Sequence, residues 1–278
     1  MINKKSHDSD LIFYEIMWYP IPNQKDFFVL NKKLKIDKEY NYTNFSRNKG
    51  NETLKKLINI TNRYWNLYRS IPFVSEIFLC NSMSFNATNK DSDIDIFIVA
   101  KKNSIRRARF FSAIFFKLAW IKRTLTDKKE KFCLSFYVTQ DHTNLQNILL
   151  KDTLDIYLIY RLAHLVPLYQ EIENNNWIFT ANPRFSKYLP NHPQKYCINI
   201  WNKKFTWNRK IKKILEFIFW WPFWKIAEKI IKQLRMPRLE KQVKKLWNKW
   251  KQIVINNNML KFHDDIREKI STLYTRTQ

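Results

Sequence analysis

The chain has 278 residues, 45% hydrophobic and 16% aromatic, which is enough apolar material for a buried core and excludes a disordered chain. Its 50 Lys and Arg against 24 Asp and Glu leave a formal charge of +26. Such a field attracts polyanions (RNA, DNA, nucleotides, acidic lipid), although an AT-rich coding bias toward Lys, Asn and Ile accounts for the excess equally well. Cys80, Cys133 and Cys197 are odd in number and contain no CxxC pair, so they indicate neither a disulfide framework nor a zinc site. Cys80 and Cys133 sit in apolar runs and are expected as small core residues.

Residues 1–50 read as a small module. A helix is expected from Asp10 to Met17, a turn at Tyr19-Pro20-Ile21-Pro22, and a second helix capped by Asn23 and running to Leu30. The alternation of Tyr40 and Tyr42 with Phe45 adds a β-ribbon, which together makes a degenerate winged-helix-like unit. The opening MINKKSHDSD, followed by an apolar stretch broken by Glu15, lacks the pattern of a signal peptide, and a cytoplasmic location is expected.

Residues 51–182 alternate helix and strand. Leu54, Leu57, Ile58, Thr61, Trp65 and Tyr68 give Asn51–Ser70 one apolar helical face, which Ile71-Pro72 ends. Strands are expected at 73–80 and 93–99, with a polar loop from Ser84 to Ser92 between them. Ser104 should cap a Phe-rich helix running to Trp120. A third strand follows at 132–138, then a helix from Asp152 to His164 and an edge strand at 165–169. This order predicts an α/β (α+β) core on a mixed sheet with flanking helices.

Residues 183–278 open on a proline-containing linker and continue as a basic, aromatic-rich helical region. Lys203 to Val254 is broken by Pro222 and Pro237, and a last helix is expected from Asp264 to Tyr274. Three readings fit this tail: its aromatics pack on the preceding domain and leave the lysines in water, it binds RNA, or it lies on anionic lipid. A membrane surface is the least expected of the three. No window reaches the roughly 18 apolar residues of a spanning helix, since 214–231 contains Glu216, Pro222, Lys225, Glu228 and Lys229, and 110–121 holds Lys117.

The chemistry concentrates in Asn81-Ser82, ten residues, then Asp93-Ile94-Asp95. Carboxylates one residue apart on a strand point to the same face, where they can share a hard divalent cation such as Mg²⁺. Ser82, just after the preceding strand, can offer its hydroxyl and backbone N–H to phosphate, and Ser92 closes the loop around the pocket. Asn81-Ser82 … Ser92-Asp93-Ile94-Asp95-Ile96 resembles the signature of the polymerase-beta-like nucleotidyltransferase superfamily, whose pattern is Gly-Ser after a strand, then Ser-Asp-hydrophobic-Asp-hydrophobic. The likeness covers about residues 51–170. A wider pattern (Tyr14 to Pro20, 132–136 and 260–264) is similar to uncharacterised bacterial nucleotidyltransferase-domain proteins. The resemblance implies Asp93 and Asp95 as catalytic metal ligands and Asn81, Ser82 and Ser92 as the nucleotide-binding loop. It further implies Mg²⁺ or Mn²⁺ with a nucleoside triphosphate, ATP being expected, and RNA or another polyanion as a further partner.

Two departures from that pattern stand out. Asn81 replaces the usual glycine, and the chain's single glycine, Gly50, leaves no Gly-rich phosphate loop. The third carboxylate expected on the third strand is missing. Strict alternation there puts Cys133, Ser135 and Tyr137 on one face and Phe132, Leu134, Phe136 and Val138 on the other, which makes Ser135 the expected occupant. Asp141 is a candidate substitute from the following loop. A catalytically degenerate fold that binds nucleotide or RNA is therefore the alternative. Arg106, Arg107 and Arg109 are further candidates for phosphate contact or for a solvated first helical turn. His164 is expected as a packed core residue, and Asp141-His142 is only an adjacency.

Overall fold

A strand whose seven side chains are all buried must lie inside a sheet covered on both faces, and Ile94–Ala100 is such a strand. The computed structural model describes residues 52–84, 88–124, 126–149, 155–172, 180–183, 207–219 and 254–261. The expected N-terminal module and most of the basic C-terminal region, including the expected helix from Asp264, lie outside them. In chain order the described elements are α1 (Glu52–Arg63), α2 (Trp65–Ser70), β1 (Val74–Leu79), β2 (Ile94–Ala100), α3 (Ile105–Leu118), β3 (Phe132–Thr139), α4 (Ile156–Ala163), β4 (Val166–Gln170), α5 (Trp207–Ile218), β5 (Val254–Ile255) and β6 (Met259–Lys261).

The strands form one open mixed sheet of order β4-β1-β2-β3-β6-β5. β1 is antiparallel to both β2 and β4, β2 is parallel to β3, and β6 is antiparallel to β3 and β5. The expected helix over 51–70 is two helices, because Tyr64 (φ −100, ψ 12) leaves helical geometry between them. Ser104 precedes α3 but does not cap it with its side chain. Its hydroxyl turns back to the Lys102 carbonyl at 3.1 Å. Asp155 does cap α4, accepting from the Leu158 N–H at 3.2 Å.

One face of the sheet packs against α1, α2 and α3. Ile94, Ile96 and Ile98 point there, with Leu57, Tyr68, Phe111 and Phe116. Tyr68 lies 6.1 Å from both Phe116 and Phe132, and its hydroxyl donates to the Thr61 carbonyl at 3.0 Å, so the ring is buried without an orphaned polar group. The opposite face carries a row of aromatics, Phe78, Phe97 and Phe136, with ring centroids 6.3 and 4.7 Å apart. The fully buried Arg161 of α4 lies over it, its guanidinium 5.4 Å from the Phe136 ring. Asp95 belongs to this second face, two residues before Phe97.

Beyond residue 183 the described residues include both helix and strand. β5 and β6 extend the central sheet beside β3, and α5 is clamped to the far edge. Glu216 of α5 accepts from the Phe73 N–H at 2.8 Å and pairs with Lys101 at 2.8 Å. Lys212 is buried, donating to the Val74 carbonyl and to Tyr169 Oη at 2.9 Å and pairing with Glu171 at 3.2 Å. Lys212 points inward while Ile211, Ile214, Phe217 and Ile218 are exposed, so on this helix the packing reading with every lysine in water does not hold for Lys212. Among the described residues no helix is long and apolar enough to cross a membrane.

Burial lowers the Lys212 pKa from 10.5 to about 8. Between those values the unfolded chain holds more protons than the folded one, so stability contributed at this site rises with pH across that window. Wild type is expected to gain about 2 kcal/mol over Lys212→Met as pH goes from 8 to 10. Urea melts of both proteins at the two pH values measure it, and an unchanged difference refutes it.

Candidate metal centre

The centre begins where β1 ends. Asn81 sits in the left-handed region (φ 59), which glycine occupies freely and asparagine at modest cost. Its amide does what no glycine can, since Nδ2 donates to Asp95 Oδ2 at 2.8 Å. The Cys80 N–H donates to the Asp95 carbonyl at 3.0 Å, so backbone and side chain both tie this turn to β2. Ser84 closes the turn, donating to the Asn81 carbonyl at 2.8 Å, and Ser82 lies partly exposed within it. Ser92 acts locally. Its hydroxyl accepts from the Asn89 N–H at 2.8 Å and lies 3.2 Å from Asn89 Oδ1, which holds the loop before Asp93.

A β-branched side chain at Asn81 would meet both the left-handed steric penalty and the loss of the bond to Asp95. Asn81→Val is expected to destabilise the protein by about 2–3 kcal/mol, and Asn81→Gly by about 1. Denaturant melts that gave equal losses would refute the left-handed role.

Asp93 and Asp95 stand side by side at the start of β2 with Cys133 of β3. One ligand atom from each lies within 4.8 Å of the other two, an arrangement that can hold a metal ion. Asp95 and Cys133 are buried, and Asp93 keeps 19% of its side chain exposed. Burial, and next the adjacent Asp95, push the Asp93 carboxyl up to about 6 against the pull of Arg123. Two carboxylates held this close repel one another and want a cation. Arg123 supplies one, pairing with Asp93 and reaching Cys133 Sγ at 3.5 Å.

Arg123 was not singled out from the sequence, and no local motif marks it. It arrives by length matching. α3 has 14 residues, about 21 Å at 1.5 Å per residue, and β2 has seven, roughly 23 Å at 3.3 Å per residue. The helix therefore carries the chain back to the end where β2 began. There the Arg123 N–H donates to the Phe132 carbonyl at 2.9 Å, which fixes the guanidinium over the carboxylates.

The third position is a correction. The register pairs Asp95 with Cys133 and Ile96 with Leu134, then skips Ser135 and pairs Phe97 with Phe136. This bulge shifts the alternation by one residue. Phe132 and Tyr137 belong to the α3 side, where Tyr137 Oη lies 2.8 Å from Ser112 Oγ, while Phe136 packs on Phe97 with the Asp95 face. The residue opposite Asp95 is thus Cys133 rather than Ser135. Asp141 is no substitute, because it follows Thr139, which pairs with Ala100 at the other end of β2. It pairs with His142 at 3.2 Å, roughly 17 Å along the strands from Asp95.

Arg106, Arg107 and Arg109 also lie at that far end, in the first turns of α3. Arg106 reaches Asn257 Oδ1 at 3.2 Å, and Arg107 covers the Phe73 ring at 4.6 Å, so neither faces the carboxylates. His164 is buried in the core as expected. Behind the site, burial pushes the Cys80 thiol up to about 12, which leaves it a protonated packing group beside Arg161.

The fold and site together define an open mixed α/β sheet with a candidate metal centre where its two central strands, β2 and β3, meet the β1–β2 turn. The chain matches no protein-family model, no curated protein and no solved structure.

Proposed function

We propose that this protein is a nucleotidyltransferase-like enzyme. It would bind a nucleoside triphosphate, ATP being the expected one, and transfer its nucleoside monophosphate to a hydroxyl. The observation that carries this reading is the pair Asp93 and Asp95, converging beside a left-handed turn that carries Ser82. The antiparallel β1–β2 pair with a parallel β3 is consistent with the fold implied by the resemblance. Asp93 and Asp95 would hold Mg²⁺ or Mn²⁺, which when bound neutralises triphosphate charge and acidifies an attacking hydroxyl. Asn81 keeps Asp95 oriented, and Ser82 offers its hydroxyl and N–H to the phosphates. The formal charge of +26 supports a polyanionic acceptor such as RNA.

A second reading, a non-catalytic nucleotide- or RNA-binding protein, is favoured by one observation: the β3 residue opposite Asp95 is Cys133, not a carboxylate, and Arg123 already pairs with Asp93. Incubation with labelled ATP, CTP, GTP and UTP and Mg²⁺ or Mn²⁺, with and without RNA, separates the two. Label transfer that disappears in Asp93→Asn supports the enzyme. Salt-sensitive nucleotide or RNA binding without transfer leaves the second reading, and absence of both activities refutes each.

A further inference from the structure

The donor set at this centre differs from an all-oxygen site. Cys133 contributes a sulfur, and thiolate ligands favour zinc-class cations over magnesium. Asn81 provides an independent sign of an intended ligand. The residue is only 8% exposed, its Nδ2 is bonded to Asp95, and its Oδ1 is buried with no hydrogen-bond partner. An unpaired buried amide oxygen costs about 1–3 kcal/mol, and a cation beside Asp95 would remove that cost.

Arg123 marks the place of such a cation. Its guanidinium rests against Asp93 and Cys133 Sγ, so a metal ion and this group exclude one another. The Arg123 side chain is 31% exposed and has solvent to withdraw into.

We propose that the centre binds a thiophilic divalent cation of the zinc class through Cys133 Sγ, Asp93, Asp95 and Asn81 Oδ1, displacing Arg123. On binding, the Cys133 thiol gives its proton to solvent as the sulfur–metal bond forms. Two carboxylates and one thiolate carry three negative charges against the cation's two. The released Arg123 then offers its N–H groups to a phosphate oxygen at the same mouth. This rests on the proposed function in placing the cation at Asp93 and Asp95 and a phosphate beside it, and it changes the class of cation from that implied by the resemblance.

The test is a titration of chelator-treated, reduced full-length protein with Co²⁺ and Cd²⁺, followed by thiolate-to-metal charge-transfer absorbance. A saturable band is expected that Zn²⁺ removes and a large excess of Mg²⁺ does not. Cys133→Ser should lose the band and weaken Cd²⁺ binding at least tenfold, by analogy with the roughly 10–100-fold effects of altering metal-site partners. It should keep its far-ultraviolet circular dichroism, and Cys197→Ala should retain the band. A missing band in wild type, or one that persists in Cys133→Ser, overturns the inference. Mg²⁺-dependent ATP binding that Cys133→Ser leaves unchanged would overturn it while sparing the proposed function. A thiolate band with no nucleotide binding or transfer under any cation would do the reverse.

Discussion

Asp95→Asn is expected to weaken Mn²⁺-dependent ATP binding by at least about 100-fold while leaving the fold intact. Changing an outer partner of a metal ligand costs roughly 10–100-fold, so removing the charge of a direct ligand belongs at or beyond the upper end. Asparagine preserves the volume, and its side-chain oxygen can still accept from Asn81 Nδ2, now 2.8 Å from Asp95 Oδ2. It also removes a like charge beside Asp93, whose carboxyl is already pushed up to about 6. The apo protein should therefore melt no lower than wild type. A cation at 100 times its dissociation constant stabilises the folded state by about 2.7 kcal/mol, so wild type should melt higher with Mn²⁺ and the variant should not. An Mn²⁺-induced shift of equal size in Asp95→Asn would remove these carboxylates from the centre.

Arg123→Gln is expected to act with opposite signs on stability and on cation binding. Without the guanidinium, Asp93 loses its ion-pair partner beside Asp95, and breaking this partly buried pair should cost the apo protein about 1–3 kcal/mol. The same change removes the group that a cation must displace, so divalent-cation affinity should rise about tenfold, equivalent to about 1.4 kcal/mol. Melts in chelator and in Cd²⁺ measure both effects on one protein. Loss of stability with no gain in affinity would make Arg123 a purely structural partner. Unchanged values in both conditions would mean that the ion pair contributes nothing.

Much of the central sheet could be read from short-range pattern. β1, β2 and β3 begin and end within a residue of their expected bounds, because apolar runs this dense have only buried strand geometry to adopt at such lengths. The face shared by Asp93 and Asp95 follows from the two-residue period of a strand. The left-handed turn at Asn81 was not predicted, although asparagine is among the few residues that replace glycine there at modest cost. Alternation failed at β3, where one unpaired residue, Ser135, reverses the faces beyond it. Periodicity contains no term for a bulge.

By itself, then, the amino-acid order determined the three central strands and the carboxylate pair, both set by patterns within a few residues. Only the tertiary structure decided which groups complete the centre. Cys133 reaches Asp95 through parallel pairing of strands separated by α3, and Arg123 through the return of that helix along β2. The burial of Lys212 against Glu171 and Tyr169 was decided in the same way. Such placements depend on residues 30 to 138 positions apart in the chain meeting across a packed sheet. Local spacing cannot encode that meeting, because it arises when the whole core closes around both faces of β2.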